Sequence, residues 1–133
     1  KSESSDLSRI NLTDEKDTII NKIKKAKTDP LPLPSNLEEL NDRAETKNLL
    51  GIYSSLTDST LEKSVKDFEG KNFSEFKESL SQVLVEKIDP ISREIKKLVN
   101  DRDFLDKILE EGHKKANNIA SIKVKKMHEI IGF

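Results

Sequence analysis

There is no cysteine anywhere in the 133 residues. That excludes a disulfide scaffold, a cysteine-ligated zinc or iron–sulfur centre and thiol nucleophilic catalysis. A dominant charge is missing too: 24 basic and 25 acidic side chains leave a net charge of −1. No global field therefore draws the chain to nucleic acid. No apolar run approaches the roughly 20 residues of a membrane span, and no signal-peptide pattern is visible, so a soluble intracellular chain is expected. With only four prolines and four glycines, there is room for long uninterrupted helices. What is abundant is charge, at 37% against 33% hydrophobic residues, which predicts a lean core beneath a heavily ionised surface. The length suits one modest domain and is short for a two-domain enzyme.

Residues 1–12 are rich in serine and aspartate and lack periodicity. Thr13 and Asp14 offer a cap for a helix whose apolar face is Ile19, Ile20, Ile23 and Ala26. Lys22, Lys24, Lys25 and Lys27 lie towards its C-terminal end, where cations complement the helix dipole. Asp29-Pro30 ends it, because a residue before proline is pushed out of helical geometry. Pro30, Pro32 and Pro34 then form an extended connector. Ser35 and Glu38 fit a capping box. From Asn48 the pattern is helical. Leu49, Leu50, Tyr53 and Leu56 form one stripe, and Leu61, Val65 and Phe68 a second that Gly70 closes as a left-handed cap. Phe73, Phe76, Leu80, Val83, Leu84 and Ile88 form a third. Pro90 predicts a kink or break near Asp89. Asp101 caps a last helix carrying Leu105, Ile108, Leu109, Ile119, Val124, Met127 and Ile131. The expected fold is all-α, an irregular bundle of four to five helices.

An enzyme site is hard to find in these residues. His113 and His128 stand about 22 Å apart on one helix and cannot share a metal ion. No nucleophile elbow, zinc-protease helix, phosphate loop or calcium loop occurs. Carboxylate pairs such as Glu110-Glu111 read as helix-end complements. The last helix is acidic at its start, whereas Lys114, Lys115, Lys123, Lys125 and Lys126 follow with no acid between Lys114 and Lys126. Dipole complementarity and a local phosphate-binding stripe both fit that pattern, and charge alone leaves them open. Tyr53, Phe68, Phe73, Phe76 and Phe104 fall on apolar faces and read as core, not as base-stacking platforms, with the Tyr53 hydroxyl at a rim.

The segments KSESSDLSRINLTD, KIKKAKTDP, NLLGIY, FEGKNFSEFKESLSQVL, DPI and DFLDKILEEGHKKANNIA, in this order, resemble the C-terminal part of the bacterial tryptophanyl-tRNA synthetases, a class I aminoacyl-tRNA synthetase family. The resemblance covers essentially the whole chain. It implies that Lys1 and Ser2 are the last Lys-Ser of the family's Lys-Met-Ser-Lys-Ser loop, with the Rossmann catalytic domain and tryptophan pocket upstream. Lys1 would stabilise charge building on the ATP phosphates in the transition state, and Ser2 would assist it. The implied layout is the end of the catalytic domain over residues 1–30, a proline-rich connector over 31–47 and a helical anticodon-binding domain over 48–118. Residues 119–133 would be a helix end packing back on the catalytic domain. The family uses ATP with magnesium, tryptophan and tRNA(Trp), and is a cytoplasmic homodimer with no membrane partner. This piece alone is expected to bind no cofactor or metal and to be inactive. A monomer, or self-association through an apolar patch around Ile19, Ile20, Ile23 and the last helix, are both open for it.

His113 stands where the family usually has alanine, and the connector is richer in proline than usual. Lys114, Lys115, Lys123 and Lys126 are candidate tRNA contacts from charge alone. Two alternatives remain: a free-standing helical RNA-binding module derived from a synthetase, and an unrelated helical adaptor presenting an apolar groove. Steep salt dependence of tRNA binding marks the former, and no tRNA binding marks the latter.

Overall fold

The computed structural model describes residues 5–132. Its elements are a 3-10 turn at Asp6–Ser8, α1 (Lys16–Lys25), a second 3-10 turn at Glu38–Leu40, α2 (Ala44–Leu56), α3 (Leu61–Asp67), α4 (Phe73–Asn100) and α5 (Arg102–Ile131). No strand occurs among the described residues, so the chain is all-α. Two compact units are present, one reaching Arg93 and the other starting at Glu94.

The first unit owns the core. Ile19 and Ile23 from α1, Leu49 and Leu50 from α2, Val65 from α3, and Phe76, Leu80 and Leu84 from α4 are buried together with Leu33, Leu40 and Phe68. Phe68 and Phe76 meet edge-on at 4.9 Å, and Tyr53 meets Phe68 edge-on at the same distance. That arrangement sets positive ring edges against negative ring faces. Phe104 belongs to none of this: it is 44% exposed on α5, a helix with no buried residue. Its place on an apolar stripe did not bury it, because a stripe is covered only where another element meets it.

Helix ends follow short-range polar chemistry, with shifts from the expected residues. At α1 the N-cap is Glu15, not Thr13 or Asp14, and it makes no side-chain cap bond. The Asp14 carboxylate is taken by Lys22 instead, at 2.7 Å. The box expected at Ser35 and Glu38 sits one residue on, where Asn36 Oδ1 accepts from the Glu39 backbone N–H at 3.1 Å. The helix α2 starts at Ala44, ahead of its apolar stripe. Thr60 caps α3, accepting from the Lys63 N–H. Pro90 lies inside α4 without ending it. Its missing N–H leaves the Glu86 carbonyl without the usual helical donor, and Arg93 pairs with Asp89 at 2.6 Å across that turn.

The connector between α1 and α2 is pinned at two places. Leu33 donates its N–H to the Lys71 carbonyl at 3.0 Å and accepts from the Gly70 N–H at 3.1 Å. Gly70 makes this exchange at φ 69°, where a side chain is strained. Asp29 takes a bidentate fork from Arg43 at 2.7 and 2.9 Å, the Thr46 hydroxyl at 2.7 Å and the Leu31 N–H at 3.0 Å. The Arg43 fork, opposed by burial and aided by Thr46, holds the Asp29 carboxyl at about 2, well below its usual 3.8. Because the folded value is depressed, the stabilisation is complete above about pH 4 and disappears as pH falls through about 2. Urea unfolding of Asp29→Asn near neutral pH is expected to show a loss of about 2 kcal/mol. The gap to the unmodified chain should shrink from pH 4 downwards.

Candidate functional site

Two regions carry the residues that the sequence singles out. Lys1 and Ser2 lie outside the described residues, but the segment that follows them is fixed to α1. Lys22, only 3% exposed, places its Nζ 2.7 Å from Asp14 Oδ2 and 2.7 Å from Asp6 Oδ2. The Asn11 side-chain amide donates to Asp6 Oδ1 at 3.0 Å, and the Asn11 backbone N–H donates to Asp14 Oδ2 at 2.9 Å. The Asp14 N–H returns a bond to the Asn11 carbonyl at 3.0 Å, closing the turn. Burial pulls the Lys22 amine down, but the Asp14 and Asp6 hydrogen bonds outweigh it and the pKa is raised. Burial likewise works against the Asp14 carboxylate, and the bonds from Lys22 and Asn11 win, lowering its pKa. The hydrogen bond from Lys22, then that from Asn11, lowers Asp6. All three groups are therefore charged at neutral pH.

The other end of α1 is closed by Lys77 of α4, whose Nζ donates to the carbonyls of Ala26 at 2.7 Å and Lys24 at 3.3 Å. Burial pushes this amine below its ordinary value. It stands in a cavity of about 1010 Å³ between α1 and α4, also lined by Lys16, Ile20, Lys24, Phe73 and Val85. Ile20 was expected in an exposed apolar patch with Ile19 and Ile23; Ile19 and Ile23 are instead buried in the core.

The second region is α5. Asp101 Oδ1 accepts from the Phe104 N–H at 3.1 Å to start it, and Gly132 ends it at φ 82°. At about 100° per residue, Lys114, Lys115 and Lys126 share a strip about 120° wide. Lys125, which is not among the four candidates, falls in the same strip, and Lys123 stands about 60° beyond Lys126. The structure thus brings three of the four candidates together. Lys125 and Lys126 follow Lys114 and Lys115 by eleven residues, close to three whole turns. All five side chains are exposed. Lys114 Nζ reaches Glu110 Oε1 at 3.4 Å, with both groups more than half exposed, and such a pair contributes little. His113 and His128 are exposed on the same helix. Its apolar side is open: Leu109 is 70% exposed, Ile119 68%, Met127 62% and Ile130 83%.

Among the described residues no group of three or more His, Asp or Glu side chains could hold a metal ion. No described helix is long and apolar enough to cross a membrane. No family model matches the chain. Across all 133 residues it is 46% identical to the tryptophan–tRNA ligase of Rhizobium meliloti and 45% identical to that of Agrobacterium fabrum, spanning 38% of each. It is 44% identical over 133 residues to that of Rickettsia felis, spanning 40% of it. The chain thus covers about two-fifths of the length of these relatives.

A Cβ added at Gly112, in the middle of α5, would meet nothing within 4 Å. Gly112→Ala is therefore expected to stabilise the helix by up to about 1 kcal/mol, read as a higher helical signal in circular dichroism at elevated temperature.

Proposed function

We propose that the chain, which is 43–46% identical along its whole length to tryptophan–tRNA ligases, is the C-terminal part of such a ligase. The complete enzyme would activate tryptophan with ATP and magnesium in the cytoplasm, as a homodimer, and transfer it to tRNA(Trp). The observation that carries this reading is identity of 43–46% to tryptophan–tRNA ligases with no part of the chain left over.

Within that enzyme Lys1 serves the transition state. Displacing pyrophosphate builds negative charge on the leaving phosphates, and an ammonium that meets them only then lowers the barrier without tightening ground-state binding. Ser2 shapes or hydrogen-bonds the same loop. Residues 1–30 close the catalytic domain, 31–47 connect, and 48–118 form the anticodon-side helical domain. Lys114, Lys115, Lys123 and Lys126 face tRNA phosphates. Residues 119–133 lay the exposed apolar side of α5 against the catalytic domain, consistent with relatives more than twice this length.

Tryptophan-dependent ATP–pyrophosphate exchange should be absent from these 133 residues alone and present in the complete ligase. Exchange by the short chain overturns the proposal. In a tRNA gel shift with the complete ligase, replacing Lys114, Lys115 and Lys126 by glutamine should flatten the log–log salt dependence by roughly 0.7–0.9 per lost phosphate contact. An unchanged slope removes these lysines from the interface.

A further inference from the structure

The lysines of α5 are not spread evenly along it. Lys114 and Lys115 form one adjacent pair and Lys125 and Lys126 a second, so about 16 Å of helix separates two doubly charged points on one strip. Between the pairs the strip carries Asn118 and Ile122 and no charge. Ser121, beside them, turns its hydroxyl back to the Asn117 carbonyl at 2.6 Å, which leaves Asn118 as the hydrogen-bonding side chain of the strip. Beyond each pair the next residue on the strip is acidic: Glu111 one turn before the first, Glu129 one turn after the second. The apolar residues Leu109, Ile119, Met127 and Ile130 centre roughly 125° away round the helix, so a surface covering them leaves the strip accessible.

This pattern distinguishes between forms of RNA. A single strand lying along α5 would present a phosphate at every nucleotide, over the uncharged middle and against both glutamates. Phosphates arriving in two separated rows, with sugars and base edges between them, meet the lysine pairs alone. A-form RNA offers such rows on the two sides of its wide, shallow minor groove, whereas its major groove is deep and narrow. That minor groove also displays 2′-hydroxyls, which donate and accept hydrogen bonds as a side-chain amide does.

We propose that α5 lies across the minor groove of a base-paired RNA stem. Lys114 and Lys115 meet the phosphates of one strand, Lys125 and Lys126 those of the other, and Asn118 bonds a 2′-hydroxyl between them. This rests on the reading above that Lys114, Lys115 and Lys126 face tRNA phosphates, and it specifies a duplex recognised by shape.

The test is phosphate-ethylation footprinting of tRNA(Trp) bound to the complete ligase. Two protected tracts are expected, on opposite strands of one stem. Replacing Lys114 and Lys115 by glutamine should erase one tract and leave the other, and replacing Lys125 and Lys126 should do the reverse. All four side chains are exposed and glutamine is a good helix former, so folding is preserved. Asn118→Ala should weaken tRNA binding roughly two- to tenfold, the range of a single hydrogen bond. Deoxy substitution in the same stem should cost as much, and nothing further when combined with Asn118→Ala. If the two lysine variants expose phosphates that follow one another on a single strand, the lysines contact tRNA but the duplex proposal is overturned. If neither variant alters any protection, the reading of the lysines itself fails. If the Asn118 and deoxy effects add, the contact with a 2′-hydroxyl is overturned.

Discussion

The fork between Asp29 and Arg43 is the constraint on which the first unit depends. Between α1 and α2 the chain cannot be helical, because three alternating prolines remove donors and forbid the geometry. A segment of that length with no periodic structure would leave the two helices free to separate. Asp29 prevents this by receiving, within a few ångströms, the guanidinium at the start of α2, a hydroxyl from its first turn and a backbone N–H of the connector itself. Leu33 and Pro34 can then be buried, and the Leu33–Gly70 exchange fastens the connector to the turn before α4. Charge-assisted, bidentate bonds suit this task because they fix direction as well as distance.

A lean core explains why so much of the order is polar. Eleven buried hydrophobic residues cannot by themselves position five helices, their connectors and an irregular N-terminal segment. Buried polar side chains take over where the apolar faces end. Thr46, Ser54 and Ser81 are almost wholly buried and bonded, to the Asp29 carboxylate, the Gly51 carbonyl and the Lys77 carbonyl. Two lysines close the two ends of α1: Lys22 gathers the incoming chain, and Lys77 satisfies the carbonyls at the outgoing end. The segment before α1 is thereby tied to a helix whose Ile19 and Ile23 lie in the core.

The helix α5 obeys the opposite economy. Its ends are capped, its charges are segregated as the dipole prefers, and its lysines recur at whole-turn spacing, yet none of its residues is buried. An apolar side of this extent is far more than scattered surface leucines.

Much of this was legible in the residues. Helical class, the stripes that became α1 to α4, the Asp101 cap and the left-handed Gly70 follow from periodicity and backbone sterics, which act within a few residues. The core reading of Phe68 and Phe76 was equally legible, and so was the resemblance of the ordered segments to tryptophan–tRNA ligases. The alignment of Lys125 with Lys114 was equally local and only needed the 3.6-residue period to be counted. Other features were decided by the tertiary structure alone. Spacing places Lys22, unlike Lys24 and Lys25, beside the Ile19–Ile23 face, but only the approach of Asp6 and Asp14 makes it a buried charged anchor. Phe104 and Phe76 look alike on their stripes, yet Phe76 is fully buried and Phe104 is exposed. Asp29 read as a helix stop and became a hub, because its partners lie 14 and 17 residues away. Local sterics and periodicity are written residue by residue; the choice among equivalent long-range partners is made only when desolvation and geometry are settled together.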